Sequence, residues 1–371
     1  MTSFLSFFYK KPSFCKQQKK DVKAGKHPFQ KIVSVALTSA MILGFSGCSP
    51  SKEASSSTEE YTTQLFAMDT YMSLTAYGKN AEAAVEEAAA EITRLEQIFS
   101  TNIETSEIAQ INANGGGEVS EDTAYLIEKS LEYYEETKGA YDITVYPLVY
   151  EWGFTTQNYQ VPSQDRISEL LPLVGSDKMH LEGTTVSFDQ EGMMIDLGTI
   201  AKGYASQKVA DIFASYEISY GLINLGGNVQ LVGTKPDGSD WKVAIQKPDK
   251  DASDSEYVGV LSASDCAVTT AGGYERYFEE DGTVYRHIFD PSTGCPTKSS
   301  LKSVSVVTKN GVDADGYDTA LFVMDFDEAV AFWQEHKDLF DVILITEDDT
   351  IYVSEGIADD FTSDYTVKIL K

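Results

Sequence analysis

The 371-residue chain contains 42% hydrophobic and 23% charged residues, proportions typical of a soluble globular protein that can bury a substantial core. Its formal net charge is −29, and the charge is unevenly distributed. Residues 1–47 hold eight lysines and one acid, so residues 48–371 carry 21 basic and 57 acidic side chains, a net charge of −36. Such an acidic surface repels phosphate backbones, which argues against a nucleic-acid-binding protein.

The N-terminal residues predict an export signal. A basic segment precedes the apolar run 32–45, which is too short to span a bilayer as a helix but is typical of a signal peptide. The sequence Phe45-Ser46-Gly47-Cys48 resembles the lipobox of bacterial lipoproteins, whose cysteine is lipidated; an ordinary secretory signal is the alternative. We therefore expect a leader (1–47), a lipidated Cys48 with a flexible Ser/Thr/Glu-rich tether (48–60), and a body anchored at the extracytoplasmic face of the cell membrane.

Beyond the tether, the residue pattern predicts interspersed helices and short strands. A strand is expected over 65–77, and helices over 80–99 and 121–138, where apolar residues recur at helical spacing. Two further helices are expected over 199–214 and 315–336. The other predicted strands are 193–197, 220–225, 241–245, 257–261, 284–289, 301–307 and 342–346. This mixture favours the α+β class with mixed and antiparallel sheets and packed helices.

The available side chains exclude several kinds of catalytic site. The chain contains no Gly-x-Ser-x-Gly, no Walker lysine loop and no His-Glu-x-x-His. Only His180, His287 and His336 follow the leader, which excludes a histidine-rich metal site. For Cys266 and Cys295, a disulfide and two free thiols remain equally open.

Oxygen side chains and a glycine turn offer a different chemistry. Residues 195–204 predict a strand, a glycine turn and a helix start, which would point backbone N–H groups at an anion beside Lys202; an ordinary strand-to-helix connection is the alternative. Asp315 and Thr319 share one face of the late helix. With a nearby carbonyl they would suit Mg²⁺ completed by phosphate, although helix capping by Asp313 or Asp315 is the alternative.

Several separated motifs, taken in order, resemble the ApbE family of FAD:protein FMN transferases over nearly all of residues 61–371. They are Ala67-Met68-Asp69-Thr70, Phe99-Ser100-Thr101, Gly139-Ala140-Tyr141-Asp142 with Val145-Tyr146-Pro147-Leu148, 196–204, 224–228, 287–294 and Ala314-Asp315 with Thr319-Ala320. The resemblance implies an ApbE-like, T-fold-like domain over 61–371. It also implies an enzyme that uses Mg²⁺ to transfer FMN from FAD to a Thr or Ser hydroxyl of a client protein, releasing AMP.

The resemblance also implies a set of site residues. Mg²⁺ would be bound by the Thr199 backbone carbonyl, Asp315 and Thr319. His287 is a candidate proton acceptor or phosphate partner, with a structural hydrogen bond in a strand as its alternative. FAD contacts are implied at Met68, Asn102, Ala140, Tyr141, Asp142, Asp196, Lys202 and Ile288, and the candidate catalytic residues are His287, Lys202 and Asp196. We expect Met68 and Tyr141 to flank an aromatic ring, and Asp142 and Asp196 to accept hydrogen bonds.

Two positions depart from the family pattern. Asp69 replaces the usual Gly, and Asn102 stands where many relatives have a Tyr that can stack on FAD. Less stacking surface predicts weaker FAD binding and easier turnover, with the diphosphate more open to water. An FAD pyrophosphatase therefore remains an alternative function. A non-catalytic flavin-binding lipoprotein is a second alternative, of a different class. The expected partners, by family, are flavin-acceptor subunits of membrane redox complexes.

Overall fold

The structure, a computed structural model, describes residues 59–249, 251–253 and 255–371. The predicted leader, Cys48 and the tether up to residue 58 lie outside the described residues. The helices are α1 (Ala81–Phe99), α2 (Glu107–Asn114), α3 (Glu121–Glu136), α4 (Tyr146–Glu151), α5 (Gln164–Leu170), α6 (Ala201–Ser215), α7 (Gly311–Val323) and α8 (Phe326–His336). The strands are β1 (Glu60–Ala67), β2 (Thr70–Tyr77), β3 (Gly116–Glu118), β4 (Met179–Glu182), β5 (Thr185–Phe188), β6 (Tyr220–Leu225), β7 (Asn228–Val232), β8 (Trp241–Gln246), β9 (Tyr257–Ala263), β10 (Ala267–Gly272), β11 (Tyr277–Glu280), β12 (Thr283–Arg286), β13 (Phe289–Asp290), β14 (Cys295–Pro296), β15 (Leu301–Thr308), β16 (Asp341–Thr346), β17 (Ile351–Ser354), β18 (Phe361–Thr362) and β19 (Val367–Leu370).

A nine-stranded sheet organises these elements, in the order β1-β2-β6-β7-β10-β15-β16-β17-β19. All neighbours are antiparallel except β17 and β19, which are parallel. Smaller sheets and hairpins are formed by β3-β5-β4, β18-β9-β8, β11-β12 and β13-β14. The mixture of helices and largely antiparallel sheets confirms the predicted α+β class.

Both faces of the large sheet are covered by apolar packing. On one face, Leu74 and Ile223 belong to a core shared with α1, α6 and α7. On the other face, Ile343 packs in a second core with Trp241 and Leu261 of the three-stranded sheet. Burying each of these side chains contributes about 1.5–3 kcal/mol. The two cores hold the large sheet as a rigid platform, and the helices on its first face carry the candidate site.

Two glycines allow α6 and α7 to cross at very short range. A Cβ atom on Gly203 would lie 2.2 Å from the carbonyl oxygen of Gly311 and 2.7 Å from the Cβ of Asp315. A Cβ atom on Gly311 would lie 2.6 Å from the carbonyl oxygen of Gly203. Larger residues would therefore separate the helices, and only this close approach lets Asp315 on α7 reach the first turn of α6.

Three predicted strands differ from the structure. The strand expected over 65–77 is a hairpin, because Met68 and Asp69 adopt positive φ angles of 48° and 61° and form a two-residue turn. Residues 193–197 are not in a sheet; the side-chain amide of Asn112 instead bonds the backbone N–H and C=O of Ile195, both at 2.8 Å. The strand expected over 284–289 is interrupted at His287 between β12 and β13.

The long late helix expected over 315–336 is two helices. The first begins earlier than predicted, at Gly311, and the second begins at Phe326. Serine hydroxyls hold the break: Ser299 Oγ donates to the Met324 carbonyl at 3.1 Å, and Ser300 Oγ accepts the Phe326 N–H at 3.0 Å. These contacts come from residues far away in the chain, so local periodicity did not indicate the break.

Two findings concern the cysteines and the membrane. Cys266 is a free thiol, so the Cys266–Cys295 disulfide does not form.

Within the described residues, no helix combines the length and apolar character that a bilayer crossing requires.

The α6–α7 crossing generates a stability prediction. We expect Gly203→Ala to lower the free energy of unfolding by about 1–3 kcal/mol, because overpacking outweighs the higher helix propensity of alanine. Denaturant unfolding measures this change. Asp211→Ala, on an exposed position of α6, is the control and should stay within about 0.5 kcal/mol of the parent protein. Equal stabilities for Gly203→Ala and the parent would contradict the close packing.

Candidate active site

The carboxylate of Asp315 lies at the N-terminus of α6. The N–H of Gly203 donates to Asp315 Oδ2 at 2.9 Å, whereas Ile200, at the N-cap position, makes no side-chain capping bond. Asp315 is buried, and its negative charge lies at the positive end of the helix dipole. The anion predicted at this helix start is therefore supplied, in this structure, by the protein itself.

The alternative of ordinary capping within α7 is wrong. The N-cap of α7 is Asn310, whose Oδ1 accepts the N–H of Val312 at 2.8 Å. Asp313 accepts a hydrogen bond from the hydroxyl of Tyr133 at 2.5 Å. Asp315 is thus left to act on the neighbouring helix.

A position that favours a cation lies between Asp315 and the turn before α6. Lys202 Nζ is 3.9 Å from Asp315 Oδ1 and 3.5 Å from the carbonyl oxygen of Gly198. The charge of Asp315 raises the pKa of Lys202, which keeps the ammonium group charged. The ammonium group therefore marks a place where the Asp315 carboxylate and the Gly198 carbonyl oxygen converge, one residue before Thr199.

The donor set at this place fits Mg²⁺. Thr319 lies one turn beyond Asp315 on α7 and is half-buried, with a hydroxyl that donates to Asp318 Oδ1 at 3.2 Å. No group of three or more His, Cys, Asp or Glu side chains in the described part of the chain is arranged for a metal. A site here therefore depends on one carboxylate together with hydroxyl and carbonyl oxygens, the hard ligands that Mg²⁺ prefers.

A second carboxyl group, not predicted from the sequence, lies beside this place. Asp318 is only 3% exposed, and burial together with the charge of Asp315 raises its pKa well above the usual value. The spacing of three residues from Asp315 on a predicted helix was the available signal, because such residues share a face.

Tyr141 supports the site from inside the core. Its side chain is 1% exposed and packs edge-to-face on Tyr133 with ring centroids 5.5 Å apart. The Thr199 hydroxyl donates to the Tyr141 hydroxyl at 3.1 Å. The expectation that the Tyr141 ring flanks a bound ring is wrong, because the ring is enclosed by protein; its hydroxyl instead positions Thr199.

The two predicted hydrogen-bond acceptors occupy different surroundings. Asp142 is buried. Its Oδ1 accepts hydrogen bonds from the N–H and the hydroxyl of Thr144 and from the hydroxyl of Ser176, at 2.6–2.8 Å. These bonds stabilise the loop that follows Asp142. Asp196 is half-buried and accepts the N–H of Gly198 at 2.9 Å. Burial raises the pKa of Asp196, and the charge of Lys202 acts in the opposite direction. Contacts of either residue with a flavin nucleotide remain predictions.

His287 lies between β12 and β13 and is held by one carbonyl group. Its backbone N–H donates to the Arg276 carbonyl at 3.1 Å, and its Nδ1 is 3.2 Å from the same oxygen. Burial, followed by the charges of Arg276 and Lys202, lowers the pKa of His287 to about 4. The imidazole is therefore neutral at pH 7, and a proton on Nδ1 leaves Nε2 as an acceptor.

The remaining predicted contacts lie around this centre. The Met68 N–H donates to Glu96 Oε1 at 2.7 Å, and Met68 is half-buried at the tip of the first hairpin. Asn102 is exposed, so its amide is open to solvent. Ala140 and Ile288 pack against the main core. The structure thus brings Asp196, Asp315 and His287 into electrostatic range of Lys202. The Thr319 hydroxyl contacts Asp318, which lies in the same range.

Comparisons with known proteins point to one family. The sequence profile of the ApbE family matches residues 68–344. A protein of Treponema pallidum named FAD:protein FMN transferase is 31% identical over 322 residues, which cover 81% of this chain and 88% of that protein. One of the same name from Escherichia coli K12 is 31% identical over 310 residues, covering 80% and 87%.

Two solved structures also resemble the fold of this chain. The ApbE protein of Thermotoga maritima superposes with a TM-score of 0.76 at 31% identity, covering 81% of this chain and 99% of that one. The flavin transferase ApbE of Vibrio cholerae superposes with a TM-score of 0.73 at 28% identity and the same coverage. Because the family profile covers most of the chain and these folds coincide, the chain belongs to the ApbE family.

Proposed function

We propose that this chain is an FAD:protein FMN transferase, which moves FMN from FAD to a Thr or Ser hydroxyl of a client protein and releases AMP. The observation that carries the proposal is the cation-favouring place between Asp315 and the turn at Gly198. Relatives that bear this name and match about four fifths of the chain support it.

The metal ligands in this proposal are those implied by the family resemblance. The Thr199 carbonyl, the Asp315 carboxylate and the Thr319 hydroxyl would hold Mg²⁺, which when bound neutralises charge on the diphosphate of FAD. The Gly203 N–H orients Asp315, and the Tyr141 hydroxyl orients Thr199. Lys202 adds a second positive charge beside the same oxygens.

The transfer itself is a substitution at phosphorus. The client hydroxyl oxygen forms a bond to the FMN phosphorus while the bond from that phosphorus to the bridging oxygen breaks, and AMP leaves with the bridging oxygen. The proton of the hydroxyl passes to Nε2 of His287, whose neutral form is favoured by burial. Asp196 and Lys202 lie beside the reacting groups and orient the nucleotide.

Location and partners belong to the same proposal. A lipidated Cys48 and a short tether would hold the domain at the extracytoplasmic face of the membrane. A domain held there would meet the flavin-acceptor subunits of membrane redox complexes, the proposed clients. The lipobox-like sequence before Cys48 supports this placement.

Mass spectrometry of a client subunit tests the activity. After incubation with the protein, FAD and Mg²⁺, we expect one Thr or Ser to gain an FMN group. Asp315→Asn should reduce the yield at least 100-fold, because the amide can still accept the Gly203 N–H but lacks the charge that holds the metal. Chelation of Mg²⁺ should have the same effect.

The client experiment has one control variant and two outcomes that would favour the alternative functions. Asp338→Asn, on an exposed position, should leave the yield unchanged. AMP release without an adduct on any acceptor subunit would favour the pyrophosphatase alternative. Flavin binding that survives both Asp315→Asn and chelation, with neither product formed, would favour the non-catalytic lipoprotein.

The role of His287 predicts a pH profile. Because the base works in its neutral form, kcat/KM should be level from pH 8 to pH 5 and fall as the pH drops through the His287 pKa of about 4. His287→Gln should reduce the rate by about 100-fold or more and remove this acidic limb. His180→Gln, which alters an exposed histidine paired with Asp189, should retain the parent profile. A His287→Gln rate within threefold of the parent would exclude a base at this position.

The exposed Asn102 predicts an effect on FAD retention. We expect Asn102→Tyr to tighten FAD binding on the order of tenfold, since an aromatic ring adds stacking surface, and to slow any hydrolysis in the absence of client. Equilibrium dialysis and AMP release measure the two effects. Thr105→Tyr places the same ring on a nearby exposed residue and should change neither. Equal FAD affinity for Asn102→Tyr and the parent would refute the explanation.

A further inference from the structure

We infer that Arg276 binds the diphosphate of the dinucleotide substrate. Asp69 then acts as an exchangeable counterion, which holds the guanidinium group at the mouth of the site until the diphosphate replaces it. The inference rests on the proposed function, because that function supplies the diphosphate.

The first argument is the path of the Arg276 side chain. Arg276 follows β10 at the end of a glycine-containing loop, and its backbone carbonyl holds His287. Its guanidinium group reaches the turn of the first hairpin, where one nitrogen lies 3.7 Å from Asp69 Oδ2 and another donates to the Asp69 carbonyl at 3.3 Å. The side chain therefore runs from the histidine of the site to the hairpin turn beside Met68.

The second argument is electrostatic. Within the described part of the chain, the charges of Lys202 and Arg276 are the positive ones that act on Asp196, Glu275 and His287. Lys202 already faces Asp315. The neighbouring carboxylates repel a diphosphate, so its binding needs a further cation. A guanidinium group suits this task because its planar fork pairs with two phosphate oxygens at once.

The third argument is that the Asp69 pair is easily exchanged. The Arg276 and Asp69 side chains are 49% and 62% exposed, and an exposed ion pair at this separation is weak. Asp69 adopts a positive φ of 61°, which aspartate tolerates, at the position where the family pattern has glycine. Glycine has no carboxylate, so the Asp69–Arg276 pair distinguishes this chain from that pattern.

Substitutions of Arg276 and of Asp69 should have opposite effects on the binding of the diphosphate. Loss of Arg276 removes a ligand of the diphosphate, whereas loss of the Asp69 charge removes a competitor for Arg276. A purely structural ion pair would make both substitutions act in the same direction.

Flavin titrations in a metal-chelating buffer, which keeps FAD intact, test the inference. We expect Arg276→Gln to weaken FAD binding at least tenfold and riboflavin binding less than twofold, because riboflavin has no phosphate. Arg276→Lys should be intermediate, and Asp69→Asn should tighten FAD binding two- to fivefold. Arg166→Gln is the matched control, since Arg166 is 45% exposed and paired with Glu151 and Glu169, and it should change neither affinity.

Each contrary outcome has a separate meaning. If the parent protein prefers FAD over riboflavin and Arg276→Gln keeps that preference, the inference fails while the proposed function stands. Weaker FAD binding by Asp69→Asn would overturn the counterion role. If the parent protein binds FAD no more tightly than riboflavin in this buffer, the inference fails while the proposed function stands. A parent protein that binds no FAD even with Mg²⁺ present would overturn both. Unchanged melting temperatures show that each variant is folded.

Discussion

The site depends on the hydrogen bond between the Gly203 N–H and the Asp315 carboxylate, made where α6 and α7 cross. This bond requires that neither Gly203 nor Gly311 carry a side chain, because a single Cβ atom would meet backbone within 2.6 Å. Backbone packing, rather than a mobile side chain, therefore sets the position of the carboxylate. A buried acid held in this way needs little reorganisation when a cation binds beside it.

The chemistry of the site follows from how the fold distributes charge in a very acidic protein. Burial and the charge of Asp315 raise the pKa of Asp318, and the same charge raises the pKa of Lys202, which remains charged. A diphosphate approaching this region meets carboxylates, so positive charge must be concentrated where it binds. A divalent cation on oxygen ligands, together with Lys202 and Arg276, would supply that charge, which connects the electrostatics with the proposed reaction.

Some motif residues support the site through hydrogen bonds to its other members. Tyr141 lies in the core and holds Thr199 through its hydroxyl, and Asp142 organises the loop that follows it. The Arg276 carbonyl holds His287 in the same supporting manner. Residues in this supporting role can be as necessary as the ligands themselves, because the positions of the ligands depend on the groups that hold them.

Local patterns in the sequence are enough to predict the elements they encode, and the ordered motifs are enough to identify the family. The helices α1 and α3 and the strand β6 lie where periodicity predicts them. Long-range packing sets the turn at Met68 and Asp69, the break between α7 and α8, and the grouping of Arg276 and Asp318 with the predicted site. These features escape local patterns because the contacts behind them join distant residues. The partner of Asp315 is 112 residues away, and such contacts depend on how the helices and strands pack.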